Sequence, residues 1–303
     1  MATLSIVFSV YNEEKLLEEA LKSVQFADEI IVIDNSSTDK TASIAKKYTK
    51  HVFTQKNDPQ KIDLQKNFGF EKASCDWVLS LDADERITPS LAKEIKETIE
   101  KESEITGYWI PRNNRIFGKI IKHGLWTNDY QLRLFKKGKG KFAADTVHKP
   151  IEIEGKTENL SEAFTHINYV SVDQYLQKMI FIYTENEAAH NIRDGKTVSW
   201  KDAIFYPARD FIKTFFAQKG YLDGVHGLVL SLLQAFYAEI IFVKMWEKQG
   251  YPETADKNFL QEVINTLKTV GNEMKYWILS EKIERTSDPS RKIIYKILRK
   301  RTS

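Results

Sequence analysis

Residues 76–85 read DWVLSLDADE, an apolar run that ends in two aspartates separated by a single residue. A nearly continuous apolar run such as WVLSL is typical of a strand that is covered on both of its faces. The earlier run EIIVID, residues 29–34, has the same character and also ends in an aspartate. Both runs predict central strands of a parallel sheet, with acidic side chains at their carboxyl ends.

The pattern on either side of these two runs extends the same interpretation. From Thr3 to Pro111, helical segments alternate with the β-rich runs TLSIVFSV, EIIVID, HVFTQ, DWVLSLD and GYWIP. This alternation predicts an α/β domain with a mostly parallel sheet flanked by helices. Because ligands bind such sheets at the carboxyl ends of the strands, the residues that follow each strand are the candidates for a functional site.

The second half of the chain has a different, helical character. Amphipathic or apolar segments cover residues 172–192, 199–218 and 224–249, so we expect an α/β catalytic domain over 1–170 and a helical extension over 171–303. The third segment approaches membrane-spanning length, but it contains Gln234 and Glu239. Since a carboxylate in the middle of a bilayer is costly, we expect this helix to pack on a neighbour or to lie on a membrane surface.

Composition places the chain among ordinary globular proteins. Hydrophobic residues make up 42% and charged residues 29% of its 303 residues. Cys75 is the single cysteine, which excludes an intrachain disulfide. The short apolar run at the N-terminus has no preceding basic region and is unlike a signal peptide. We therefore expect a cytoplasmic location.

Positive charge is concentrated in the last stretch of the sequence. Residues 291–303 contain six basic residues and no acidic ones, although the net charge of the whole chain is only +3. Isoleucines and a leucine interleave with these charges at helical spacing, which favours an anionic membrane surface as partner and speaks against nucleic acid. A solvated terminal helix is the alternative for this basic tail.

The paired aspartates 82 and 84 are the strongest chemical signal. Two carboxylates at the end of a strand can together hold a hard cation, which in turn bridges the phosphates of a nucleotide. The alternative is that one of them caps the next helix. Thr88 and Pro89 already supply a cap and a favourable first helical residue, so the sequence predicts a metal role for Asp82 and Asp84.

The loops after the first two strands indicate a nucleotide site of a particular kind. The first strand leads through SVYNEE into a helix without a glycine-rich loop, which excludes a dinucleotide-binding oxidoreductase and a sugar nucleotidyltransferase. The ring of Tyr11 can stack on a base, whereas Asn12 is expected to cap the following helix. Asp34, at the end of the second strand, is placed to accept a hydrogen bond from a base or a ribose.

In this order and spacing, SVYNEE, IDNSSTD and LDADE resemble the family 2 glycosyltransferases, which have the GT-A fold. Further on, WIPRNNRIFGKIIKHG, DYQLRLFKKGKGKF, VHK and GYLDGVHG resemble the lipopolysaccharide core glycosyltransferases of the WaaE type. The resemblance implies inverting transfer of a sugar from a nucleotide sugar, commonly a UDP-hexose, to a lipopolysaccharide-core or similar glycan acceptor.

The resemblance also implies roles for individual residues. The nucleotide-sugar-binding residues would be Tyr11, Glu13, Asp34, Lys66 and Asp82. Mg²⁺ or Mn²⁺ would be held by Asp82 and Asp84 together with a later histidine, for which His148 in TVHK is the best positional match. Lys149 follows this histidine where relatives usually have an acid, and an ordinary loop histidine is the alternative.

Direct inversion requires a carboxylate that removes the proton of the acceptor hydroxyl. Asp129 is the candidate, because it shares one face of a predicted antiparallel strand, DYQLRLF, with Gln131 and Arg133. A solvated face of the sheet is the alternative for these three residues. The predicted acceptor-binding residues are Arg112, Arg115, Gln131 and Arg133.

Two other functions remain open at this point. One is transfer to a polyprenyl phosphate, which long C-terminal membrane-spanning helices would favour. The other is a noncatalytic sugar-nucleotide-binding protein that keeps only the fold, against which the intact Asp82, Asp84 and Asp129 argue. Donor hydrolysis with added Mn²⁺ or Mg²⁺ distinguishes an enzyme from a binding protein.

Overall fold

The computed structural model describes residues 1–59, 61–127, 129–143, 151–253 and 258–302. The strands of this part of the chain are β1 (Leu4–Val10), β2 (Glu29–Asp34), β3 (His51–Thr54), β4 (Trp77–Leu81), β5 (Glu85–Arg86), β6 (Ile105–Ile116), β7 (Lys119–Ile120), β8 (Tyr130–Lys136), β9 (Gly140–Lys141), β10 (Glu152–Ile153), β11 (Lys156–Asn159) and β12 (Phe164–Tyr169). The helices are α1 (Leu17–Ser23), α2 (Thr41–Ala45), α3 (Ile62–Lys72), α4 (Pro89–Ile99), α5 (Val172–Lys178), α6 (Thr184–Arg193), α7 (Asp202–Phe211), α8 (Val225–Lys248), α9 (Phe259–Arg285) and α10 (Pro289–Lys300).

The chain forms two compact units. The first unit consists of Met1–Arg115 and Asn128–Asn168, and the second of Ile116–Thr127 and Tyr169–Ser303. The segment from Ile116 to Thr127 interrupts the first unit because its isoleucines are buried with aromatic residues of the second, as in the cluster that contains Ile121, Tyr169 and Tyr175.

The sheet of the first unit has the strand order β3-β2-β1-β4-β8-β6-β12-β5, and β11 also pairs with β6. Strands β3, β2, β1 and β4 pair parallel with one another, and β8 lies antiparallel between β4 and β6. The mostly parallel α/β sheet with a helical extension is therefore confirmed, as is the antiparallel strand predicted over DYQLRLF.

Helices cover both faces of this sheet, as the continuous apolar runs predict. Alternate residues of β1 point to opposite faces. Ile6 and Phe8 are buried with α1 and α4, whereas Val7 is buried with Phe70 of α3. Gly69 lets α3 approach closely, because a Cβ at this position would collide with the side chain of Val7.

The predicted helix starts are right in one case and wrong in another. Thr88 caps α4, since its hydroxyl oxygen accepts a hydrogen bond from Leu91 N at 3.2 Å. Asn12 does not cap α1, which begins at Leu17. Asn12 adopts a positive φ of 55°, and its Oδ1 accepts a hydrogen bond from Thr38 N at 2.8 Å. This side chain thus joins the loops after β1 and β2 instead of starting a helix.

The second unit is built from long helices, as the sequence predicts. α5 and α6 are joined by a π-helical turn at Met179–Tyr183, and α7 continues into another at Ile212–Ala217. α8 packs against α6 and α7, and α10 packs against α9. Among the described helices, α8 alone is long and apolar enough to cross a membrane by length and composition, and 33% of its most apolar stretch is buried.

Candidate active site

The carboxyl ends of neighbouring strands collect the first group of predicted site residues. Because β2, β1 and β4 are adjacent and parallel, their carboxyl ends lie at the same edge of the sheet. Asp34 is the last residue of β2, and Tyr11 and Asp82 directly follow β1 and β4. The chain order reverses between β1 and β4, which is the point where open α/β sheets bind ligands. The sheet topology therefore directs attention to this edge.

The loops after β1 and β2 are tied to each other. Asn12 N donates to Ser37 Oγ at 2.9 Å, and the buried Asp34 accepts from Ser37 N at 3.1 Å. Glu13 contributes its backbone carbonyl, which accepts the amide of Leu17 at 3.0 Å. The Tyr11 side chain is 45% exposed next to these fixed loops. Its ring is thus accessible for stacking on a planar ligand.

Asp82 lies in a compact group of charges, the Asp82 cluster, formed by Lys66, Asp82, Glu85 and Arg133. Lys66 Nζ lies 2.7 Å from Asp82 Oδ1, and Arg133 Nη2 lies 2.8 Å from Asp82 Oδ2. The same Arg133 nitrogen is 2.7 Å from Glu85 Oε1, while Asp82 N donates to Glu85 Oε2 at 3.0 Å. Each Asp82 carboxylate oxygen therefore has a cationic partner.

The pKa values of the Asp82 cluster follow from burial and opposite charge. Burial raises the pKa of the Asp82 carboxyl, but the charges of Lys66 and Arg133 outweigh it and hold this pKa well below its usual range. Burial raises the pKa of Glu85 by more than Arg133 lowers it. Burial lowers the pKa of Arg133, but Glu85 and Asp82 raise it further, so this guanidinium stays charged. A metal ion at Asp82 would share these oxygens with two cations, whose positive charges oppose its binding.

Asp84 has a different environment, although only one residue separates it from Asp82. Strand β5 pairs antiparallel with β12, with Glu85 opposite His166, and Ile167 N donates to the Asp84 carbonyl at 2.8 Å. This short ladder brings His166 Nε2 to 3.3 Å from Asp84 Oδ2. His166 Nδ1 lies 2.8 Å from Oδ1 of Asn114 on β6.

Asp129, the predicted base, lies just before β8 and opposite β6. Arg112 reaches Asp129 Oδ2 with Nε at 2.6 Å and Nη2 at 2.5 Å, and Gln131 Nε2 donates to Oδ1 at 2.8 Å. Asn114 Nδ2 donates to Oδ2 at 3.2 Å. Burial raises the pKa of Asp129, but Arg112 and these hydrogen bonds outweigh it and hold the pKa below its ordinary value. The Asp129 carboxyl is therefore ionised at neutral pH.

These contacts join four residues into a continuous line, the Asp84 chain, which runs from Asp84 through His166 and Asn114 to Asp129. The Asp84 chain and the Asp82 cluster both belong to the first unit.

A cavity of about 440 Å³ in the first unit joins several of the predicted residues. Its lining contains both cationic and aromatic side chains: Asp63, Lys66, Asp82, Trp109, Arg112, Tyr130, Gln131, Leu132, Arg133, Phe142 and Ile151. Within the described part of the chain, the buried Nε of Arg133 has no hydrogen-bond partner. This combination suits an anionic ligand that also carries planar or apolar groups.

The remaining predicted residues are more scattered. Arg115 is exposed near the end of β6. Arg133, predicted to bind the acceptor, is buried and lies against Asp82 and Glu85. His148 lies outside the described residues. Among the residues that are described, no group of three or more histidine, cysteine or acidic side chains is arranged to hold a metal ion.

Three residues of this region are absent from the predicted site residues: Glu85, Asn114 and His166. Glu85 directly follows the paired aspartates, and Asn114 is a polar residue in the strand run IPRNNRI, so both carried a weak signal. His166 carried no more than its place in the short β-rich run FTHINY. Their importance appears only when β6, β12 and the end of β4 are brought together.

Comparison with known proteins finds glycosyltransferases both among family models and among individual relatives. The model of the glycosyl transferase family 2 matches residues 5–151. The lipopolysaccharide core biosynthesis glycosyltransferase LpsC of Rhizobium meliloti (strain 1021) is 26% identical over 252 residues, which cover 82% of this chain and 93% of LpsC. The uncharacterized glycosyltransferase RC0292 of Rickettsia conorii is 30% identical over 261 residues, 78% of this chain and 87% of the relative.

Among solved structures, residues 1–349 of Staphylococcus aureus TarS superpose with a TM-score of 0.42 at 15% identity, over 84% of this chain and 94% of that one. The match to the family model and the relatives that align along most of their length lead to one conclusion. The chain belongs to glycosyltransferase family 2 and is a glycosyltransferase.

Proposed function

We propose that this glycosyltransferase moves a hexose from a UDP-sugar to a lipopolysaccharide-core or similar glycan acceptor, with inversion at the anomeric carbon. The acceptor class rests on the similarity to LpsC, whose name places it in lipopolysaccharide core biosynthesis. The donor site would lie at the sheet edge, with Tyr11 stacking on the base and Asp34 accepting a hydrogen bond from the base or ribose. Glu13, Lys66 and Asp82 complete the proposed donor-binding set.

The observation that carries the proposed chemistry is the 3.3 Å approach of Asp84 Oδ2 and His166 Nε2. One carboxylate oxygen and one imidazole nitrogen fit a divalent ion that keeps its other positions for water and the phosphates of a substrate. We therefore propose that Asp84 and His166 would hold Mg²⁺ or Mn²⁺, with His166 in the role that the resemblance implies for His148. When bound, such an ion stabilises the charge of the departing diphosphate.

The Asp82 cluster has a complementary role in this proposal. Because Lys66 and Arg133 hold both Asp82 oxygens, this carboxylate is fixed in place and ionised. It is suited to accept hydrogen bonds from sugar or ribose hydroxyl groups. Lys66 and Arg133 line the same cavity and supply positive charge for a phosphate group.

Asp129 is proposed as the base that removes the proton from the acceptor hydroxyl. A base must be ionised before the reaction, and Arg112 together with Gln131 keeps this carboxylate in that form. The Asp129 side chain is 21% exposed, so a hydroxyl group can approach it. Arg112, Gln131 and the exposed Arg115 are the proposed acceptor-side residues.

A donor screen tests this function directly. The purified full chain is incubated with UDP-, GDP- and ADP-hexoses, Mn²⁺ or Mg²⁺, and a lipopolysaccharide-core oligosaccharide, and released nucleotide and glycosylated product are measured. We expect UDP release and product only when metal is present, with an inverted anomeric configuration by NMR. Binding of the donor without any turnover would instead indicate a noncatalytic protein. Efficient transfer to a polyprenyl phosphate, and not to the oligosaccharide, would indicate the other acceptor class.

We further propose that α10 holds the enzyme on the inner face of the cytoplasmic membrane. Tyr295 and Arg299 face α9, where the Arg299 guanidinium lies over the Tyr276 ring and Lys282 Nζ lies 5.6 Å from the Tyr295 ring centre. The outward side carries the exposed isoleucines 293, 294 and 297. Lysines at 292, 296 and 300 recur every four residues beside them. An apolar stripe beside a row of lysines suits the surface of an anionic bilayer.

A further inference from the structure

The Asp84 chain links the proposed metal ligand to the proposed base through Asn114. The side chain of Asn114 is completely buried, with 0% exposure, in the middle of the chain. Its Nδ2 faces Asp129 at 3.2 Å, and its Oδ1 faces His166 Nδ1 at 2.8 Å. The two ends of this amide thus face the proposed base and the ring nitrogen of His166 that lies away from Asp84.

The orientation of the Asn114 amide follows from its neighbours. An ionised carboxylate such as Asp129 has no proton to donate, so the amide nitrogen of Asn114 must face it. Asn168 Nδ2, which is a donor only, lies 3.3 Å from the other end of the amide and requires an oxygen there. Two independent neighbours therefore turn Oδ1 of Asn114 towards His166.

This orientation determines which nitrogen of His166 carries a proton. Nδ1 faces an acceptor, Asn114 Oδ1, so Nδ1 is the protonated nitrogen. In the neutral ring, Nε2 then has a free lone pair that points towards Asp84 Oδ2. A lone pair and a carboxylate oxygen at 3.3 Å repel each other, so these two atoms require a cation between them. A second proton on the ring supplies it in the metal-free protein, and a divalent ion bound by both atoms supplies it when metal is present.

We propose that Asn114 is a positioning residue, which keeps the proton of His166 on Nδ1 and thereby prepares Nε2 and Asp84 Oδ2 to bind a divalent cation. The proposal rests on the metal role that the proposed function gives to these two ligands. Outer partners of metal-binding histidines commonly fix the tautomer in this way, and their loss typically weakens metal affinity 10- to 100-fold. Asn114 would therefore affect metal binding without touching the metal.

The first test is independent of metal binding. Nitrogen NMR of the full chain with ¹⁵N-labelled histidine reports the protonation of each ring nitrogen, and the His166→Gln variant identifies the His166 signals. We expect a protonated Nδ1 both without metal and with Mg²⁺ and UDP. In Asn114→Ala, whose side chain offers no acceptor, we expect the proton of the neutral ring to move to Nε2, next to Asp84. A neutral His166 ring in the unaltered protein with its proton on Nε2 would overturn the proposal.

The second test measures Mn²⁺ affinity by electron paramagnetic resonance in the presence of UDP. Asn114→Ala should weaken Mn²⁺ binding about 10- to 100-fold. Asn168→Ala, which removes only one of the two neighbours that orient Asn114, should give a smaller loss in the same direction. Asn113→Ala is the matched control, because Asn113 is exposed and adjacent on the same strand, and its affinity should equal that of the unaltered chain.

The outcomes separate the two proposals. Equal Mn²⁺ affinity of Asn114→Ala and Asn113→Ala would reject the positioning role even if the metal role stands. If the unaltered protein binds no Mn²⁺, the metal role of Asp84 and His166 is wrong. A protonated Nδ1 in the NMR test would then show that Asn114 sets the tautomer of His166, but not that it prepares a metal site. If Asn114→Ala does not fold, Asn168→Ala decides the question, since Asn168 is only partly buried.

Discussion

The Asp82 cluster and the Asp84 chain begin at two carboxylates of one short motif, yet they differ in charge compensation. In the cluster, Lys66 and Arg133 neutralise Asp82, and both of its oxygens are occupied. In the chain, Asp84 Oδ2 lies 3.3 Å from Nε2 of His166, and the charge of Arg86 acts on the same carboxylate from its place in the sequence two residues on. The difference indicates a division of roles: one aspartate is a fixed anion within a rigid ion network, and the other retains the capacity to bind a cation.

The largest effect is expected from the removal of Asp84, which tests whether the two aspartates have different roles. Asp84→Ala should abolish metal-dependent donor binding and lower kcat/KM by roughly 10³-fold or more, since a metal ion contributes several kcal/mol of charge stabilisation. Asp82→Asn is the matched control and should still bind Mn²⁺ in the presence of UDP. Unchanged donor affinity of Asp84→Ala with Mn²⁺ present would mean that the two aspartates do not divide these roles.

A second prediction concerns the far end of the Asp84 chain. Asp129→Asn should lower kcat by roughly 10²- to 10⁴-fold, because an amide cannot take the acceptor proton, while donor affinity changes little. The new side chain still offers Asn114 an acceptor oxygen, so Mn²⁺ affinity should be retained. Donor hydrolysis by water should also be affected much less than transfer. Near-normal transfer would assign the base to a different carboxylate.

The Asp82 cluster should show its effect in stability. Arg133→Met leaves the buried Glu85 and its neighbour Asp82 with one cation fewer, so the free energy of unfolding in denaturant should fall by about 3–5 kcal/mol. Arg115→Met is the control, because an exposed site usually changes stability by no more than about 0.5 kcal/mol. If Arg133→Met and Arg115→Met have the same free energy of unfolding, the ion pairs of Arg133 do not stabilise the fold.

Acid should weaken the same cluster, and the sign follows from the pKa of Asp82. This pKa is lower in the folded protein than the unfolded value of about 3.9, so Asp82 contributes its full stabilisation above that value. The contribution is lost as the pH falls further and the folded carboxylate takes up a proton. Unfolding measured between about pH 6 and pH 2.5 should show a steeper acid loss for the unaltered chain than for Asp82→Asn. Parallel curves would contradict the assigned shift.

The smallest effect on catalysis is expected from the basic tail, which lies outside both networks. Removal of residues 291–303 should release the protein from anionic liposomes, since each basic residue near such a surface contributes about 1 kcal/mol. Turnover of a soluble acceptor should be spared. Neutral liposomes are the control for binding through apolar groups alone. If the full chain and the truncated chain sediment equally with anionic liposomes, the tail does not hold the protein on the membrane. Equal binding of both would then indicate that other helices make the contact, and no binding of either would reject membrane association.

The sequence predicts those parts of the site that depend on local pattern. The runs before Asp34 and Asp82 predict buried parallel strands, and Thr88 predicts a helix start, because strand and cap signals lie within a few residues of the feature. The ion pairs of Arg133 with Asp82 and Glu85 do not follow from such a local pattern, because strand alternation predicts a face and not the neighbours on that face.

The Asp84 chain shows why the remainder escapes sequence reasoning. Asp84 and His166 meet through pairing of β5 with β12, across most of the first unit's sequence, and Asn114 enters from a third strand. No periodic pattern within a short stretch of sequence predicts that residues from three distant strands lie side by side. Asn12 illustrates the opposite error: a residue with a strong local preference for helix caps is recruited by a neighbouring loop, where it accepts the amide of Thr38.

The two-residue ladder between β5 and β12 also has a consequence for variation in this family of sequences. Side chains of a strand alternate between faces, so a shift of β12 by one residue would place Thr165 or Ile167 where His166 now stands. An insertion inside residues 164–166 would separate His166 from Asp84 while leaving every predicted motif of the first hundred residues intact.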